Sequence, residues 1–221
     1  MPGPSRPAIE HTIPTQTHGR YLVSAAAGPD APLLVGFHGY GETAEEELAR
    51  LQTIPDSDRW TLVSIQGLHQ FYRRRTNEIV ASWMTRQNRE QAIEDNVAYV
   101  ANLLRQYSGN SPLVLTGFSQ GVAMAFRAAA FLSVPVAGVI ACGGDVPPEL
   151  GVEQLQRIPA VLIARGRNDE WYTAEKLTSD EQRLRTAGVS VQSIVLDASH
   201  EWTPPFSEIC GQFLKELEPP L

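Results

Sequence analysis

The sequence predicts an α/β fold, a doubly wound, mostly parallel sheet of about seven strands flanked by helices. Short runs rich in Val, Ile and Leu alternate with segments of helical period from one end of the chain to the other. Runs of that kind suit parallel strands covered on both faces. The pentapeptide Gly117-Phe118-Ser119-Gln120-Gly121 links an apolar run to a helix-forming stretch with no residues to spare. Strand, sharp turn and helix in immediate succession is the setting of a G-x-S-x-G nucleophile elbow.

Taken in order, strands are expected at 21–25, 33–37, 61–66, 113–117, 136–141, 160–164 and 191–196, with helices at 44–53, 89–107, 121–132, 174–186 and 205–217. Right-handed crossovers then place helices on both faces. Residues 1–19 read as an N-terminal arm, its first seven rich in Pro and Gly and loosely attached, and residues 20–221 as a single domain. No repeat, low-complexity tract or linker divides the chain. Residues 67–88 are the longest stretch without clear periodicity, and there is no room for a large inserted lid.

The 221 residues are 43% hydrophobic and 19% charged, values ordinary for a soluble globular protein. No apolar run approaches the ~20 residues of a membrane span, and the N-terminus lacks the apolar core of a secretory signal. A net charge of −7 argues against nucleic acid as the main partner. Arg73-Arg74-Arg75, with Arg86 and Arg89 nearby, is the one basic cluster, read either as a solvated loop or as a rim that attracts anionic substrates. Only two cysteines, Cys142 and Cys210, are present. They fit a reducing cytoplasm and behave as small core hydrophobes. With no His/Cys/Asp cluster at ligand spacing, neither metal nor organic cofactor is expected.

A serine hydroxyl needs a base to remove its proton as it attacks. Among five histidines, His200 follows the last strand after a short link, where a loop can reach back to Ser119. His11 and His18 lie in the arm, His69 follows the third strand, and His38 belongs to a turn in which a packing role is expected. The acid that orients the imidazole is expected at Asp169, just past the strand at 160–164. Asp197 is the competitor, although it lies too close to His200 in the chain to come from a neighbouring strand end; Glu170 and Glu201 stand behind it. An oxyanion hole needs two donors aimed at the developing charge. The backbone N–H groups of Gln120 and of Tyr40, in His38-Gly39-Tyr40-Gly41-Glu42, are the candidates. Phe71, Trp83, Trp171, Tyr172 and Trp202 are candidates for an acyl or aromatic pocket, with burial in the core the competing role for each.

Together, His38-Gly39-Tyr40-Gly41-Glu42, Gly117-Phe118-Ser119-Gln120-Gly121, Gly166-Arg167-Asn168-Asp169 and His200-Glu201-Trp202 resemble the α/β-hydrolase fold. Within it, the likeness is to the small lidless phospholipase/carboxylesterase group that includes acyl-protein thioesterases, over about residues 30–217. The resemblance implies a Ser119–His200–Asp169 triad, Tyr40 and Gln120 as oxyanion donors, and Trp83 near the site. It also implies a small-molecule ester or thioester as substrate. Glu170-Trp171-Tyr172, and the triple arginine in the 67–88 loop, depart from the group's pattern at positions that touch substrate rather than catalysis. Without a lid, short or soluble esters are the expected substrates. A non-catalytic binding protein on a retired hydrolase fold is the alternative of a different class; within enzymes, a peptidase or carbohydrate-ester deacetylase is the other. A homodimer is compatible with the sequence.

Overall fold

Successive residues of each strand point to opposite faces, so a strand buried on both sides feeds two separate cores. The computed structural model, which describes residues 8–26, 28, 31–107 and 112–217, has that organisation. Among these residues, seven strands share one sheet: β1 (Arg20–Ser24), β2 (Leu33–Phe37), β3 (Thr61–Gln66), β6 (Leu113–Phe118), β7 (Gly138–Cys142), β8 (Ala160–Gly166) and β9 (Ser190–Leu196). Their order is β1-β3-β2-β6-β7-β8-β9, with β1 antiparallel to β3 and every other pairing parallel. The expected sheet is therefore present.

Leu33, Val35 and Phe37 of β2, Leu113 and Leu115 of β6, and Val161 and Ile163 of β8 enter one core. It is closed by α2 (Arg89–Leu104), α3 (Gln120–Phe131), the short α4 (Val152–Leu155) and α5 (Ala174–Thr186). Their neighbours Leu34, Val114, Leu162 and Ala164 enter the other, closed by α1 (Ala44–Gln52) and α6 (Pro204–Leu217). Helices α1 and α5 begin at threonine caps, Thr43 and Thr173. Thr43 caps α1 in a capping box with Glu46, and three glutamates in the first turn complement the helix dipole.

The stretch at 67–88 departs from the aperiodic loop expected of it. It contains an antiparallel hairpin, β4 (His69–Tyr72) with β5 (Ile79–Ser82), which forms a small sheet of its own. Each strand has four residues and no clean alternation, so period-two reading had little to find. The turn closes through Asn77 at φ 57°. Residues 8–19 carry no helix or strand, and residues 1–7 of the expected arm lie outside the described residues.

The order in which strands are added across the sheet reverses between β2 and β6, which lie side by side and parallel, with Phe37 opposite Gly117. A reversal of this kind opens a crevice at the carboxyl ends of the strands. The loops after β2, β6, β8 and β9 all emerge along that edge.

Candidate active site

At the end of β6 the backbone turns at Ser119, which has φ 53° and ψ −118°. That is a costly conformation for a residue with a Cβ, and it is held by its surroundings. The Ser119 N–H donates to Cys142 O at 2.9 Å, tying the turn to the neighbouring strand. Serine is a favoured helix cap, yet here it precedes α3 without a capping bond, so its hydroxyl is left to project from the elbow. The close approach of strand and helix requires glycine on either side. A Cβ on Gly121 would lie 1.8 Å from Phe37 O, and one on Gly117 would lie 2.5 Å from the Gly121 carbonyl carbon. Because both obstacles are backbone, Gly121→Ala is expected to lose about 3 kcal/mol or more of stability, read as a lower urea midpoint.

The loops after β8 and β9 are bonded to each other, Arg167 N–H to Leu196 O at 2.7 Å and Asn168 N–H to Ala198 O at 2.9 Å. They deliver Asp169 and His200 to the elbow. His200 Nε2 lies 2.8 Å from Ser119 Oγ, and its Nδ1 lies 2.8 Å from Asp169 Oδ2. The other oxygen of Asp169, Oδ1, accepts from the N–H groups of Trp171 at 2.8 Å and Tyr172 at 2.9 Å. Burial alone would raise the Asp169 pKa. The hydrogen bonds from Tyr172, His200 and Trp171 outweigh it and hold the carboxyl below its ordinary range. An ionised Asp169 fixes the proton on Nδ1 and leaves the Nε2 lone pair facing the serine. Asp197, Glu170 and Glu201 are all exposed, and the carboxylate that meets the imidazole is Asp169.

The loop after β2 is pinned at nearly every polar group. Gly39 N–H donates to Glu42 Oε2 at 2.6 Å and Gly41 N–H to Ala81 O at 2.9 Å, while Arg73 donates to Gly41 O at 2.5 Å. Among the described residues no backbone acceptor takes the Tyr40 N–H. The Gln120 N–H lies in the first turn of α3, where intrahelical partners are lacking. His38 is fully buried. Its Nε2 accepts from Gly67 N–H at 3.0 Å, so its Nδ1 carries the proton and donates to Gly39 O at 2.6 Å. Burial lowers its pKa and keeps it neutral, in line with a packing role.

Two contributors were not legible in the sequence. The Gln120 side chain accepts from Trp83 N–H at 2.9 Å and donates to Met84 O at 3.1 Å, joining the elbow to the hairpin. Arg50 pairs with Glu42 at 2.9 Å and lies 4.5 Å above the Phe118 ring, which in turn packs beside His200. A basic residue inside an amphipathic helix carries no sequence signal for such a task.

The aromatic candidates separate. Trp83 is wholly buried and donates to His38 O at 2.8 Å, so it supports the β2 loop from behind and presents no surface to a ligand. Phe71 stacks on Tyr40. Trp202 packs edge-on against Phe206 and borders a second cleft beside His200, away from Ser119. Trp171, exposed, and Tyr172, buried, line a cavity of about 270 Å³ that holds Ser119, Gln120 and His200. A roomier cavity of about 750 Å³ lies between Arg20 and the hairpin and contains none of these groups. Both cysteines are buried and unpaired, with burial pushing their thiols up. Among the described residues no cluster of His, Cys, Asp and Glu could hold a metal ion, and no helix is long and apolar enough to cross a membrane.

The sheet order, the elbow and the strand-end loops are those of an α/β-hydrolase. Residues 18–217 match the phospholipase/carboxylesterase family model, and the chain belongs to that family of carboxylic ester hydrolases. Solved structures share the fold. The Bacillus cereus carboxylesterase matches at TM-score 0.70 and 17% identity, covering 90% of this chain and 95% of that one. Esterase PE8 matches at 0.73 and 24%, covering 90% and 98%. Zea mays acyl-protein thioesterase 2 matches at 0.70 and 20%, covering 91% and 100%. No curated protein sequence matches the chain.

Proposed function

We propose that this protein hydrolyses short-chain carboxylic esters, thioesters included, through an acyl-enzyme on Ser119. The supporting observation is the unbroken file Asp169–His200–Ser119, with both links at 2.8 Å. Ser119 Oγ attacks the carbonyl carbon while its proton passes to His200 Nε2. The imidazolium formed is stabilised by Asp169, and the oxyanion accepts from the Tyr40 and Gln120 N–H groups. Collapse breaks the C–O or C–S bond, and the leaving group takes the proton from Nε2. Water then repeats the sequence on the acyl-serine, with His200 as base, and releases the acid.

Size supports the preference for short chains. A cavity of about 270 Å³ falls below the ~300–1,000 Å³ usual for drug-sized ligands. In a series of p-nitrophenyl esters, kcat/KM is expected to be highest at the shortest acyl chains and to fall as the chain lengthens. A maximum at long chains would contradict the pocket assignment. The two unpaired cysteines support a reducing compartment such as the cytoplasm.

A further inference from the structure

The cavity beside Ser119 is more basic than hydrolysis of a neutral ester requires. Arg89 at the start of α2, Arg127 on α3 and Lys176 on α5 all line it, with Asp145 as the one carboxylate in its wall. Lys176 pairs with Asp145 at 3.2 Å. Arg127 is 1% exposed and bonds a single oxygen of Glu149 through Nε at 2.7 Å and Nη2 at 2.6 Å. Among the described residues, its remaining nitrogen, Nη1, meets only the Met84 sulfur at 3.7 Å. A thioether is a weak acceptor, so a buried guanidinium edge is left without an oxygen partner, which is costly unless a ligand supplies one. Exposed Arg89 forms no salt bridge among the described residues. After the two pairings, one positive charge is in excess.

Arg73, by contrast, is held by Gly41 O and by the Glu78 carboxylate at 3.1 Å. The first of the three successive arginines therefore braces the β2 loop, and of the expected basic cluster it is Arg89 that lines the cavity.

We propose that the preferred substrate is a short ester bearing a carboxylate, received in this cavity by Arg127 Nη1 with Arg89 and Lys176 at the rim. The proposal rests on the hydrolase reading of Ser119 and narrows its substrate class. A monoanion matches the single excess charge, a planar carboxylate matches the guanidinium fork, and the small volume limits the arm to a few carbons. The flexible Met84 side chain can yield the space beside Nη1.

The test follows acid release by pH-stat for monoethyl succinate against ethyl butyrate, and for acetoxyacetate against propyl acetate, so that the carboxylate is tried on the acyl and on the alcohol arm. In at least one pair the anionic ester is expected to lead by about tenfold or more in kcat/KM. The lead should arise in KM, shrink as salt is added, and be erased or reversed in Arg89→Glu. Neutral esters turned over as well as both anionic ones would overturn the proposal while leaving the hydrolase reading intact. If no ester is turned over, monoethyl succinate itself is tested as a ligand by thermal unfolding. Stabilisation of the wild type that Arg89→Glu loses would uphold the anion site and remove the hydrolase reading; no stabilisation would remove both.

Discussion

Ser119→Ala is expected to lower kcat for a short p-nitrophenyl ester by about 10⁴–10⁶-fold. The hydroxyl makes no capping bond, so its loss removes the nucleophile without unbalancing the helix it precedes. No second nucleophile stands in, because both thiols are buried and held protonated by desolvation. The thermal midpoint of the variant should stay close to that of the wild type. Activity retained with an unchanged midpoint would exclude the acyl-serine route.

Asp169→Asn is expected to cost about 10⁴-fold in kcat at neutral pH. The reason lies in the two backbone N–H groups that already fix Oδ1. In an asparagine only the carbonyl oxygen can accept them, so the amide nitrogen must face His200 Nδ1. That nitrogen donates, which forces Nδ1 to accept and moves the imidazole proton to Nε2, where it blocks transfer from the serine. The substitution also changes the response to acid. The folded pKa of Asp169 lies below its ordinary 3.8, so the ionised form contributes stability that is present above that value and lost as pH falls through the folded one. The variant should lack that part of the acid-side slope in its unfolding midpoint. A variant with near wild-type kcat would show that His200 needs no carboxylate to set its tautomer.

Most of the frame was legible because parallel strands buried on both faces leave runs of Val, Ile and Leu, and β2, β6 and β8 begin where those runs do. Ser119, Asp169 and His200 stood out for a related reason. Each follows a strand, and a sheet of this type gathers the carboxyl ends of its strands along one edge. The β4–β5 hairpin was not legible, since its register depends on contacts made outside it. Ala81 bonds to the β2 loop, and Gln120 bonds to Trp83, which directly follows β5. Composition also could not separate Trp83 from Trp171. One is sealed behind the site and the other stands 75% exposed at its mouth, a difference set by tertiary packing. The same holds for charge: Arg73 turns inward to a carbonyl, whereas Arg89 and Arg127 reach the cavity from helices distant in sequence.

The central claim is that His200 makes the Ser119 hydroxyl nucleophilic. The most direct measurement treats the folded protein with a fluorophosphonate and locates the adduct by peptide mass spectrometry. One adduct is expected, on the peptide carrying Ser119 with fluoride lost, forming orders of magnitude more slowly in His200→Ala. A folded wild-type protein that forms no adduct, or that labels equally fast without the imidazole, would contradict the account.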